Sequence, residues 1–60
     1  MSLRAYESGY DMGRNDYADG LWSSDVQNLA SLAGYRDDDS RDTFCAGYRA
    51  GQLDGWDDGD

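Results

Sequence analysis

The residue types behind most protein catalysis are missing from this chain. It has no His and no Lys, so the commonest general bases and the amine that forms Schiff bases are absent. Its single cysteine, Cys45, has no imidazole to generate a thiolate, and it reads as a small core residue. With no second cysteine there is no internal disulfide, which fits a reducing, cytoplasmic setting. One Cys without His cannot close a zinc site. Paired carboxylates could act as acid and base, but 60 residues around one thin core offer no deep pocket. Asp54-Gly55-Trp56-Asp57-Asp58-Gly59-Asp60 and Asp37-Asp38-Asp39 are oxygen-rich. Neither has the twelve-residue calcium spacing that ends in Glu. The expectation is a protein that is not an enzyme and holds no cofactor or metal.

What the chain does carry is carboxylate. Asp and Glu total 13 against 5 Arg, a net charge of -8. Such a surface repels nucleic acid and anionic membranes and attracts a basic protein. Several acids sit against local stability. Asp54, Asp57, Asp58 and Asp60 gather at the C-terminal end of a helical pattern, where each opposes the macrodipole by about 0.3–1 kcal/mol. Glu7 and Asp11 form a like-charge i,i+4 pair. Acids so placed point to an external field. Carboxylates one helical turn apart sit about 5–6 Å apart, on the scale of neighbouring DNA phosphates with their ~3.4 Å rise per strand. The candidate contacts are Glu7, Asp11, Asp37, Asp38, Asp39, Asp42, Asp54, Asp57 and Asp58.

In size, acidity and aromatic content, the whole chain resembles the small phage-type DNA-mimic inhibitors, the anti-restriction and anti-CRISPR proteins. The resemblance implies occupation of a basic nucleic-acid channel on a defence or DNA-processing protein. Two other readings compete. The acid could serve solubility or high-salt adaptation alone. The chain could also be a homo-oligomeric adaptor, a homodimer at its simplest, joined through glycine and tyrosine faces.

Those faces come from an internal repeat. At an offset of 38, Gly9 lies over Gly47, Tyr10 over Tyr48, Gly13 over Gly51, Asp16 over Asp54 and Asp19 over Asp57, with Tyr6 over Phe44. The shared pattern is aromatic-x-x-Gly-Tyr-x-x-Gly-x-x-Asp. Leu3, Tyr6, Tyr10, Gly13 and Tyr17 step by 3 and 4, one face of a helix, as do Phe44, Tyr48, Gly51 and Gly55. Each interior Gly costs about 1 kcal/mol against Ala. Close approach of two helices through small-xxx-small rows is the physical compensation. The expected seam is Tyr6, Gly9, Tyr10 and Gly13 against Phe44, Gly47, Tyr48 and Gly51.

Between the copies, Gly20 stops the first helix, and Ser24-Asp25-Val26-Gln27 reads as a capping box. Val26, Leu29, Ala30, Leu32 and Ala33 form an apolar stripe that ends at Gly34, an αL cap with Tyr35 folded back. Trp22 is expected to plug one end of the core. Asp37 to Asp39 lead into the last helix, where acids suit the positive dipole end. The expectation is an all-α, single three-helix domain, with helices over about 3–18, 24–33 and 40–56. Only 7 residues are Leu, Ile, Val or Phe, but 8 are aromatic, so the small core must lean on rings. No apolar run approaches the ~18 residues of a membrane span, and no leader-like segment opens the chain.

Overall fold

The computed structural model describes residues 3–20 and 25–59, with side chains to residue 57. It has three helices: α1 Leu3–Asp19, α2 Val26–Leu32 and α3 Asp38–Gly59. The expected all-α architecture with a shorter middle helix is present. The matched glycines of α1 and α3 set the packing.

A Cβ on Gly9 would overlap the Phe44 carbonyl oxygen and lie 2.9 Å from the Tyr48 amide nitrogen. One on Gly47 would overlap the Tyr6 carbonyl oxygen and lie 3.1 Å from the Tyr10 nitrogen. Gly13 stands in the same way against Tyr48, and Gly51 against Tyr10. Each glycine therefore aims a Cα–H at a backbone carbonyl of the other helix, the weak hydrogen bond that recurs at close helix–helix contacts. The four contacts are reciprocal under the 38-residue offset. Low-numbered residues of α1 meet low-numbered residues of α3, so the two helices run parallel about a pseudo-twofold axis. About 4 kcal/mol of lost helix propensity over four glycines is offset by backbone contact that no residue with a Cβ permits.

Parallel helices require the chain to return along their length, and the connection that contains α2 makes that return. Gly20, at φ +72°, ends α1 with its N–H on the Tyr17 carbonyl at 3.1 Å. Gly34, at φ +103°, ends α2, with Gly34 N–H on Ser31 O at 3.1 Å and Tyr35 N–H on Ala30 O at 3.0 Å. This is a Schellman closure, and it places Tyr35 back on the core as expected. Its ring centroid lies 5.8 Å from that of Phe44.

Three sequence expectations need correction. Asp25, not Ser24, caps α2, accepting from the Asn28 N–H at 3.1 Å; Ser24 and Trp22 lie outside the described residues. The third helix begins earlier, because Asp37 is its cap: the Asp37 carboxylate accepts from the Ser40 N–H at 3.1 Å. Leu3 does not join the buried stripe, being 71% exposed. The face that α1 buries is Ala5, Gly9 and Gly13.

The core is Ala5, Ala30, Phe44 and Tyr48, with Met12, Val26, Leu29 and Tyr35 against it. It lies on one flank of the glycine seam only, the flank that α2 covers.

Candidate functional site

The repeated Tyr and Asp make two matching bonds across the seam. The Tyr48 hydroxyl on α3 donates to the Asp16 carboxylate on α1 at 2.5 Å, and the Tyr10 hydroxyl on α1 donates to the Asp54 carboxylate on α3. Hydrogen bonds to a charged acceptor are the stronger kind, worth about 1.5–3 kcal/mol where solvent is excluded. The bond holds the Tyr10 phenol neutral and raises its pKa; the nearby Arg14 opposes this more weakly. Arg14 also sits with its guanidinium carbon 6.0 Å from the Tyr10 ring centroid. Asp54 thus has a place in the fold, which corrects its reading as an acid that stability leaves unexplained.

The seam residues expected from sequence are brought together: Gly9, Gly13, Gly47 and Gly51 are all buried, with Phe44 at 0% and Tyr48 at 1% exposure. They meet within one chain. The same glycine faces are therefore not available to join two copies, as the adaptor reading requires.

The two flanks differ. Beside Phe44 and Tyr48, α2 lays Ala30, Val26 and Leu29 on the core, and the Tyr35 hydroxyl reaches Ser8 Oγ at 2.9 Å. Their counterparts on the opposite flank are uncovered: Tyr6 is 38% exposed and Tyr10 is half-buried. A shallow groove there is lined by Leu3, Tyr6, Glu7, Tyr10 and Asp11.

The candidate acids Glu7, Asp11, Asp37, Asp38, Asp39, Asp42, Asp54 and Asp57 are all exposed, while the side chain of Asp58 lies outside the described residues. Two surfaces carry most of them. Asp37, Asp38, Asp39 and Asp42 surround the start of α3, where Asp38 pairs with Arg41. Glu7 and Asp11 edge the uncovered groove. Backbone and hydroxyl hydrogen bonds from Ser40 hold the Asp37 carboxyl below the usual carboxylate range. No basic residue occupies the last turn of any of the three helices.

Cys45 is half-buried and free, and burial raises its thiol pKa, with Asp42 adding to the shift. That direction suppresses the reactive thiolate. Among the described residues no group of His, Cys, Asp and Glu is arranged to hold a metal ion, and no helix is long and apolar enough to cross a membrane. Sequence reasoning missed the Tyr–Asp bonds across the seam and the uncovered flank. The repeat contained the signal for the first, since each copy carries its Tyr and its Asp six residues apart.

No protein-family model matches the chain, and no curated protein or solved structure matches it.

Proposed function

We propose that this protein is an acidic inhibitor that imitates nucleic-acid phosphates and occupies a basic DNA- or RNA-binding surface of a defence or DNA-processing protein. The observation that carries the reading is the exposure of all eight described candidate carboxylates on a narrow scaffold of 35 × 19 × 12 Å. Its length is that of about ten base-pair steps at ~3.4 Å each. A scaffold held by backbone contact at the glycine seam presents those charges without rearrangement, which lowers the cost of binding. Catalysis forms no part of the proposal, since the one thiol is suppressed and no imidazole or amine side chain is present. The adaptor alternative loses its glycine interface to the intrachain seam.

Immobilised protein tests the reading. Proteins captured from a lysate should be basic nucleic-acid binders, and duplex DNA or RNA should elute them competitively at constant ionic strength. Added salt should weaken capture steeply, because exposed charges are screened beyond ~8–10 Å. A captured partner that holds nucleic acid and this protein at the same time refutes phosphate mimicry.

A further inference from the structure

The 38-residue symmetry makes the uncovered flank a copy of one that is already occupied. On the occupied flank, Phe44 and Tyr48 of α3 stand beside Ala5 and Met12 of α1, and α2 lies over them. The offset carries Phe44 to Tyr6, Tyr48 to Tyr10, Ala5 to Thr43 and Met12 to Ala50. All four counterparts retain solvent exposure. The backbone frame is the same on both sides, because the four glycine contacts are reciprocal. Among the described residues, one side has a short helix seated on it and the other does not.

The rims differ in charge. Where the occupied flank has Cys45 and Arg49, the offset places Glu7 and Asp11 on the open one, and Asp54 lies on the same side through its bond to Tyr10; these three acids outweigh Arg14, whose guanidinium also sits by the Tyr10 ring. We infer that the Tyr6–Tyr10 flank is a docking groove for a short, basic amphipathic helix of a partner protein, seated as α2 is seated on the opposite flank. The apolar positions of that helix follow the spacing of Val26, Leu29 and Ala30, and its rim carries Arg or Lys facing Glu7 and Asp11. A second copy of this chain brings the wrong charge: its net charge is -8, and its own short helix opens on Asp25. The inference rests on the reading that the partner is basic, and adds which element of the partner binds and where.

The probe is a synthetic three-turn peptide with Val, Leu and Ala at the α2 spacing and Arg at the rim positions. The control carries Glu in place of Arg. Titrated into isotope-labelled protein, the basic peptide should give saturable amide shifts centred on Leu3, Tyr6, Tyr10 and Asp11, and the acidic control none. Tyr6→Ala should weaken binding at least tenfold, and so should Glu7→Gln/Asp11→Asn, which leaves the rings in place and keeps the fold. Asp38→Asn/Asp39→Asn should change it less than threefold. Absence of saturable binding overturns the inference. So do shifts centred on Asp37 to Asp39, or affinity indifferent to both groove variants. Self-association through the groove in sedimentation replaces the basic helix with a second copy and overturns it too. Nucleic-acid competition is read in a separate experiment, so a failure of phosphate mimicry leaves this result standing or falling by itself.

Discussion

Replacing Gly51 with Ala tests whether backbone contact holds the two long helices together. Ala is the better helix former by about 1 kcal/mol, so an isolated α3 would gain from the change. In the fold, the new methyl would overlap the Tyr10 carbonyl oxygen and lie 2.9 Å from its carbon and 3.0 Å from the Arg14 nitrogen. All three are backbone atoms, and none can swing aside as a side chain can. Relief requires the helices to separate, which loosens the other three glycine contacts and both Tyr–Asp bonds. Overpacking costs about 1–3 kcal/mol, and overlap with rigid backbone puts this site at the upper end; after the propensity gain of about 1 kcal/mol, a net loss of about 2 kcal/mol remains. A domain of this size holds roughly 3–5 kcal/mol in all. At about 4–8 °C per kcal/mol, the midpoint should fall by about 8–16 °C in thermal circular dichroism. Gly55→Ala is the internal control, since its methyl would meet only the Tyr17 ring at 3.3 Å, and its midpoint should hold or rise. Gly13→Ala should match Gly51→Ala, and the double variant should cost less than the sum, because one separation relieves both. A Gly51→Ala midpoint equal to that of Gly55→Ala would refute the seam.

Tyr48→Phe should cost about 1–2 kcal/mol in urea unfolding through loss of its bond to Asp16, and Tyr10→Phe less, because that pair is exposed to water; equal losses would contradict the asymmetry of the flanks. The raised Tyr10 pKa means that the folded state favours the neutral phenol, so its contribution is complete below the ordinary tyrosine value near ~10 and is lost as pH climbs through the raised one. An ultraviolet titration should show a late-ionising tyrosine that Tyr10→Phe removes. The lowered Asp37 pKa acts in the opposite sense, present above the ordinary Asp value of ~3.9 and lost as pH falls through the lowered one. Asp37→Ala should lower the thermal midpoint at neutral pH, as loss of an N-cap does, with the difference from the parent shrinking in acid.

Much of the fold was legible because the repeat is written in glycine. Four interior glycines at matched positions have few explanations besides a close seam, and Gly20 and Gly34 stand at helix ends where positive φ is needed. The parallel direction was not legible, since small-residue rows can pack either way and the choice depends on how α2 returns the chain. The sequence pattern places Tyr10 and Tyr48 at the seam. Their hydroxyl bonds to Asp54 and Asp16 need the opposite helix, which no single-helix pattern contains. Asp25 was hidden beside Ser24 because both residue types cap helices and only backbone geometry decides. The exposure of Tyr6 against the burial of Phe44 follows from where α2 lies, which breaks a symmetry that the residues alone present as whole.

The most direct test of the functional account removes charge where the fold does not need it. Asp38→Asn/Asp39→Asn/Asp42→Asn spares the Asp37 cap, and Asp57→Asn/Asp58→Asn spares the Asp54 bond to Tyr10. Association rates of both variants with the captured basic partner should be measured across a salt series. The account predicts that one variant associates at least tenfold more slowly, with a shallower salt dependence and little change in thermal midpoint, because exposed charges steer encounter more than they hold the core. Parent-like association by both variants, together with loss of binding in Tyr6→Ala, would contradict phosphate mimicry and leave the aromatic groove as the binding surface.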